Sequence, residues 1–63
     1  MYTVNFYKNS KLVNQFDYMI ERLAIDCLRR HADNQSLEVR EDFYYAYSEG
    51  NKPEIEIEIV REQ

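Results

Sequence analysis

The segment from Pro53 to Ile59 constrains the fold of this chain more than any other. It reads Pro-Glu-Ile-Glu-Ile-Glu-Ile, so glutamate and isoleucine alternate without interruption. Successive side chains of a β-strand point to opposite faces of the sheet, and this period of two places the isoleucines against a core and the glutamates in water. The pattern predicts a strand of an antiparallel sheet that is covered on one face only.

The length of the chain limits how it can be stabilised. Its 63 residues predict a single small domain spanning residues 1–63, and a chain of this size buries only about 60% of the surface that it exposes when unfolded. The single cysteine, Cys27, cannot form an intramolecular disulfide and is compatible with a reducing compartment. A helix packed on the sheet, or self-association, must therefore supply the stability.

Two strands and a helix are predicted in the first half of the chain. Alternation from Tyr2 to Tyr7 indicates a strand, and after a polar turn Leu12–Phe16 indicates a shorter return strand. Asp17 is a residue type that caps helices, and we expect a helix to begin there. The core-facing residues of this helix are spaced i, i+3, i+4, i+7 and i+8, and they are Ile20, Leu23, Ala24, Cys27 and Leu28.

The second half of the chain predicts a second hairpin. An exit loop at Ala32–Ser36 precedes one long strand, Leu37–Tyr47, which we expect to bend near Glu41 and Asp42. A turn at Ser48–Lys52 contains the only glycine and leads into the Pro53 strand. The predicted fold class is therefore α+β with the order β-β-α-β-β: one amphipathic helix packed on one face of a four-stranded antiparallel sheet.

The face of the sheet opposite the helix is predicted to be acidic and to carry tyrosine. The segment Phe43–Tyr47 is aromatic at both odd and even positions, so its register decides which rings point outward. With the odd-numbered residues in the core, Tyr44 points outward; a tight turn at Gly50–Asn51 without a bulge reverses the arrangement and exposes three aromatics. Either register leaves at least one tyrosine beside the glutamates.

This face suggests contact with a basic protein surface. Carboxylates at alternate strand positions lie about 7 Å apart, a spacing similar to that of phosphates along a nucleic-acid strand, and tyrosine is favoured at interfaces. The alternative is that the glutamates form an ordinary solvated face that prevents aggregation. The candidate partner-binding residues are Tyr44, Glu54, Glu56, Glu58, Glu41 and Asp42.

A second candidate interface lies on the predicted helix, opposite its core-facing stripe. Residues spaced i, i+4, i+7 and i+11 would line one helix face, and they are Tyr18, Arg22, Ile25 and Arg29. The arginines suit a glutamate row on a second copy. The alternative function is therefore a structural homodimer in which a sheet edge or the Tyr18 and Ile25 stripe is buried between copies. Single exposed apolar residues are also common on ordinary surfaces.

The charge distribution argues against a nucleic-acid binder. Residues 1–32 carry five basic and three acidic side chains, whereas residues 33–63 carry three basic and nine acidic ones, and the formal net charge is −4. Nucleic-acid affinity requires a concentrated basic surface. Weak binding of single-stranded nucleic acid by stacking on strand tyrosines is a third alternative.

No residue pattern predicts catalysis or a metal site. Cys27 and His31 lie four residues apart on the helix, a spacing that suits a metal or an activated thiol. A structural zinc requires four ligands, and the chain has one cysteine and one histidine. We therefore interpret Cys27 as a small buried residue and His31 as a residue at the helix end or core margin. We expect no enzymatic activity, no cofactor and no metal.

The sequence has no signal-peptide pattern and no apolar run of membrane-spanning length, so we expect a soluble, cytoplasmic protein without a membrane partner. Its small size and acidity resemble those of accessory proteins of phages and mobile elements. The leading hypothesis is a small non-enzymatic interaction module that modulates or inhibits a nucleic-acid-handling protein through its acidic, tyrosine-bearing sheet face.

Overall fold

The computed structural model describes residues 1–62, which form five strands and one helix. In chain order they are β1 (Tyr2–Lys8), β2 (Lys11–Tyr18), α1 (Glu21–Gln35), β3 (Glu38–Val39), β4 (Tyr45–Tyr47) and β5 (Ile55–Arg61). Neighbouring strands are antiparallel, and their order across the sheet is β2-β1-β5-β4-β3. The strand with alternating isoleucine and glutamate, β5, is therefore the central strand.

The α+β class, with one helix and an antiparallel sheet, is confirmed, but the predicted number of four strands is wrong. The segment predicted as one long bent strand is instead a hairpin of β3 and β4, in which Glu38 pairs with Tyr47 and Val39 with Ala46. The two acids at Glu41–Asp42 mark a complete reversal of the chain rather than a bend.

The reversal between β3 and β4 is stabilised by Asp42. Its carboxylate accepts two hydrogen bonds of 2.9 Å from the Arg40 guanidinium and one of 3.0 Å from the Tyr44 N–H. Phe43 adopts a left-handed backbone conformation with φ 63°, and its N–H donates to the Arg40 carbonyl at 2.9 Å. A short aspartate that bonds to nearby backbone is typical of tight turns.

The helix begins and ends later than predicted. Asp17 does not cap it, because β2 extends to Tyr18 and Asp17 accepts a 2.8 Å hydrogen bond from the Thr3 hydroxyl of β1. The N-cap is Ile20, whose aliphatic side chain cannot accept a hydrogen bond. The helix continues to Gln35 and stops at Ser36, which has left-handed dihedral angles of φ 56° and ψ 45°.

The core lies between α1 and one face of the sheet. From the sheet it contains Val4, Phe6, Ala46, Ile57 and Ile59, and from the helix Ala24, Cys27, Leu28 and Ala32. The predicted core positions Ala24, Cys27 and Leu28 are confirmed as buried, whereas Ile20 and Leu23 are exposed. These two residues lie at the helix start, and the buried side of the helix continues instead to Ala32.

Candidate functional site

The face of the sheet that points away from α1, called the open face below, has Glu56 and Glu58 at its centre. Strand pairing places Glu58 between Asn5 of β1 and Tyr45 of β4, and Glu56 between Tyr7 of β1 and Tyr47 of β4. Because side chains alternate along each strand, burial of the intervening β5 isoleucines against α1 directs both glutamates outward.

Two tyrosines of β4 form a stacked pair beside these glutamates. The ring centroids of Tyr45 and Tyr47 are 5.4 Å apart, with 24° between the ring planes. The Tyr45 hydroxyl donates a hydrogen bond to the Glu56 carboxylate, and the Arg40 guanidinium carbon lies 5.5 Å from the Tyr45 ring centroid. Tyr45 is thus held by a carboxylate at its hydroxyl and by a cation over its ring.

The environment of Tyr45 keeps its hydroxyl protonated further into the alkaline range than that of an ordinary tyrosine. Burial, followed by the hydrogen bond to Glu56 and the charges of Glu56 and Glu58, raises the pKa of Tyr45 to about 12. The phenol therefore remains a hydrogen-bond donor that orients the Glu56 carboxylate.

The other half of the open face has its polar groups paired within the protein. Asn5 and Thr3 of β1 are buried there. The Gln15 amide donates to the Asn5 side-chain oxygen at 2.7 Å, and the Thr3 hydroxyl donates to Asp17 at 2.8 Å. The half formed by β4 and β5 differs, since the exposed Glu58 carboxylate remains available to an external group.

A shallow cleft of about 260 Å³ opens in the acidic half. Its lining combines carboxylate, phenol and hydroxyl groups, contributed by Tyr7, Ser10, Tyr45, Glu56 and Glu58. The nearby cation Arg40 is bonded to Asp42, and this guanidinium lowers the pKa of the Asp42 carboxyl. Because Arg40 is already paired, it offsets little of the negative charge on the cleft.

The structure places the predicted acidic partner-binding residues in three different regions. Glu56 and Glu58 lie on the open face as described. Glu41 and Asp42 lie in the β3–β4 turn. Glu54 precedes β5, where its N–H donates to the Ser48 hydroxyl at 2.9 Å and its carbonyl accepts from the Asn9 N–H at 2.8 Å.

Tyr44 lies on the opposite side of the sheet from the one predicted. Ala46 pairs with Ile57 and faces the helix, so Tyr44 shares that side and packs against the core. Its hydroxyl donates to Glu21 in the first turn of α1, a hydrogen bond that raises the pKa of Tyr44 to about 12. The outward tyrosines are instead Tyr45 and Tyr47, as the alternative register of this segment required, together with Tyr7.

The second predicted interface is not a continuous helix face. Tyr18 belongs to β2, and both Tyr18 and Ile25 are half-buried against the core. Arg22 and Arg29 are exposed on α1, but the Arg29 guanidinium carbon lies 5.1 Å from the Phe43 ring centroid. Tyr18 and Ile25 therefore do not form an exposed patch on one helix face: Tyr18 lies in β2, which is longer than predicted, and Ile25 packs against the core.

Cys27 and His31 are arranged as structural residues. Cys27 is buried, as predicted, and its sulfur lies 3.8 Å from the His31 Nδ1. The same Nδ1 donates to the Cys27 carbonyl at 2.9 Å, since a carbonyl only accepts. The His31 ring also contacts Phe6 edge-on, with centroids 4.8 Å apart, so His31 lies at the core margin.

Within residues 1–62, no cluster of three or more His, Cys, Asp or Glu side chains has a geometry that could hold a metal ion. The helix in this range is neither long nor apolar enough to cross a membrane. Comparisons with protein-family models, curated proteins and solved structures give no significant match.

Proposed function

We propose that this protein is a non-enzymatic interaction module that binds a basic surface of another protein through the acidic half of its open face. The observation that carries the proposal is the stacked Tyr45–Tyr47 pair directly beside Glu56 and Glu58, on a face that α1 leaves uncovered. Tyrosine supplies apolar contact area together with a hydroxyl, which is why it is enriched at interfaces.

The arrangement is preorganised for a cationic partner. The ring of Tyr45 is fixed by Glu56 and Arg40, so little side-chain entropy is lost when a partner covers it. The Glu56 and Glu58 carboxylates, at alternate strand positions, suit lysine or arginine side chains about 7 Å apart. A protein surface that binds successive phosphates carries basic side chains at a similar spacing. This favours a nucleic-acid-handling protein as the partner that is modulated or inhibited.

A capture experiment tests this proposal. The tagged protein is incubated with lysate of its native cells at low and high ionic strength, together with the double variant Glu56→Lys/Glu58→Lys. We expect the wild type to retain a basic, nucleic-acid-binding protein at low salt and to release it at high salt, because contacts between exposed charges are screened. The double variant should retain none of it.

A matched control separates the open face from net charge. The variant Glu49→Lys/Glu62→Lys changes the net charge by the same amount at two exposed positions off the β5 strand, and it should bind like the wild type. Because Glu56 also accepts from Tyr45, Glu58→Lys alone serves as the milder variant, and circular dichroism checks that each variant is folded. The proposal is contradicted if both double variants lose partner binding equally, or if binding does not depend on the salt concentration.

Direct nucleic-acid binding is the competing explanation for stacked tyrosines on a sheet. Gel-shift measurements on single- and double-stranded DNA and RNA at physiological salt distinguish the two functions. We expect no shift, since Glu56 and Glu58 repel phosphates. A shift that is lost in Tyr45→Ala would replace the proposed function by single-strand binding.

A further inference from the structure

The β2 edge of the sheet is long and exposed, and it lies apart from the acidic half of the open face. β2 is an outer strand of eight residues, exposed from Lys11 to Asp17 and half-buried at Tyr18. The opposite edge, β3, has only two residues. An uncovered edge strand presents a row of unpaired N–H and C=O groups, and proteins generally shorten, charge or cover such edges. Here only one of the two edges is shortened.

Large exposed apolar side chains concentrate at this same edge. Six of them, each between 40% and 77% exposed, occur in β2, in the β2–α1 connection and in the first turn of α1. We call this set the β2 patch, and its members are Leu12, Val13, Phe16, Met19, Ile20 and Leu23. Clustered exposed apolar residues mark interaction sites more often than scattered ones do.

We propose that two copies of the chain pair through antiparallel β2 strands, about a twofold axis at Phe16, so that the two sheets become continuous. The Gln15 N–H donates to the Asn14 side-chain oxygen at 2.9 Å, a local bond that pairing with a second copy would replace. It points toward the free edge, because Gln15 pairs with Asn5 and the odd-numbered residues of the β1 segment bond to β5, as Met1 does to Glu62 and Asn9 to Glu54. Backbone groups alternate direction along a strand, and therefore Gln15 and Asp17 both present their N–H and C=O groups to a second copy.

The chemistry of β2 favours this register over one shifted to Asp17. With the axis at Phe16, Gln15 pairs with Asp17 of the second copy, Asn14 pairs with Tyr18 of the second copy, and the two Phe16 rings meet. These pairs place amide against carboxylate and ring against ring, with no like charges opposed. An axis at Asp17 would instead oppose two carboxylates.

A register centred on Asn14 fails because of an irregularity in β2. Phe6 pairs with Asn14 but Tyr7 pairs with Leu12, so Val13 is an extra residue in the ladder. This bulge turns Leu12 to the open face with Tyr7, whereas Phe16 pairs with Val4 on the helix face. An axis at Asn14 would pair Leu12 with Phe16 of the second copy, although the two side chains lie on opposite faces.

The twofold axis also accounts for three members of the β2 patch on the helix side, Phe16, Ile20 and Leu23. An axis perpendicular to the sheet keeps both helices on the same face. Phe16 lies on that face and contacts Phe6 edge-on at 5.7 Å, and Ile20 and Leu23 lie at the adjoining start of α1. The corresponding residues of the second copy would cover this group between the two helices, and burial of this apolar surface favours association.

Disulfide trapping tests both the pairing and its register. Two residues that face each other at the axis in a non-hydrogen-bonded pair have Cα atoms about 4.5 Å apart, which is within disulfide range. Two Leu12 positions would be about 27 Å apart, eight residues of register at 3.4 Å each. Native Cys27 is buried and does not compete. Under mild oxidation, we expect Phe16→Cys to form a covalent dimer at least tenfold faster than Leu12→Cys.

Sedimentation of the unmodified chain completes the test. We expect a reversible dimer in the wild type and in Phe43→Asp, and a monomer in Phe16→Asp; the two phenylalanines are 41% and 40% exposed and so are closely matched. Gln15→Pro is the second disrupting variant, because it removes the outward N–H without removing a backbone hydrogen bond to β1; Gln15→Ala is its control, since both variants lose the side-chain bond to Asn5 and only the proline loses the N–H. Glu58→Lys should leave the dimer intact, which keeps this result separate from binding at the open face.

Three outcomes would overturn the proposed dimer. The first is a wild type that stays monomeric up to millimolar concentration. The second is a dimer that persists in folded Phe16→Asp and Gln15→Pro. The third is equal rates of disulfide formation at positions 12 and 16, which would show association without this register.

Discussion

The hydrogen bond between Tyr45 and Glu56 predicts how the protein responds to alkaline pH. The pKa of Tyr45 is raised to about 12, whereas an unfolded tyrosine ionises near pH 10. The folded state therefore favours the neutral phenol. The resulting stability is fully present below pH 10 and is lost as the pH rises from 10 to 12.

The size of this effect follows from the pKa shift. Two pKa units correspond to about 2.7 kcal/mol at about 1.36 kcal/mol per unit. Tyr45 is only half-buried, so solvent screening reduces the expected contribution to about 1 kcal/mol. Between pH 10 and 12, the free energy of unfolding of the wild type should fall by about 1 kcal/mol more than that of Tyr45→Phe.

Urea unfolding at several pH values measures this difference, and NMR of labelled tyrosine ring carbons assigns the ionisation to Tyr45. In Glu56→Gln the pKa of Tyr45 should move down toward 10 without reaching it, since burial is the larger cause of the shift. Tyr44→Phe is the matched control, because Tyr44 also has a pKa of about 12 but bonds to Glu21 on the other side of the sheet. A Tyr45 phenol that ionises near pH 10 in the wild type would refute the described geometry.

Two further predictions concern the stability of the fold. Leu28 is fully buried, and Leu28→Ala should cost about 3–5 kcal/mol, most of the roughly 3–9 kcal/mol expected for a domain of this size. Thermal unfolding should show a largely unfolded variant, while Arg22→Ala, at an exposed position of the same helix, should lose less than about 1 kcal/mol. Ser36 ends α1 in a left-handed conformation, so Ser36→Gly should raise the free energy of unfolding by about 1 kcal/mol, and Ser36→Ala, measured in the same urea titration, should show no such gain.

The sequence predicted the parts of this fold in which one strong pattern acts alone. The isoleucine–glutamate alternation of β5 has no competing interpretation, so its inward and outward faces were predicted correctly, as was the burial of Ala24, Cys27 and Leu28. The alternation is a local property that tertiary contacts reinforce here rather than override.

The register of the aromatic segment was not available from the sequence. Phe43–Tyr47 is apolar at consecutive positions, so alternation does not choose between its two faces. The choice comes from the pairing of Ala46 with Ile57 beneath the helix, where a small side chain lets the helix approach the sheet. The pairing of Ala46 with Ile57 therefore places Tyr44 on the helix side of the sheet and places Tyr45 and Tyr47 at the candidate site.

Local capping preferences misled the prediction at Asp17. An aspartate before an apolar stripe is typical of a helix start, but the same carboxylate satisfies the Thr3 hydroxyl across β1 and β2. The strand therefore gains two residues, and the helix begins without a polar cap. A single sequence gives no way to weigh a cross-strand partner 14 residues away against a local one.

The central position of β5 determines when this sheet can form during synthesis. β1 pairs with β5 along its whole length, and β4 pairs with β5 rather than with β1. The first hairpin and the β3–β4 hairpin therefore share no ladder until the residues of β5 have been made. A nascent chain stalled before Ile55 would hold two separate hairpins and a helix with an incomplete core, a form in which apolar surface is open to chaperones and proteases.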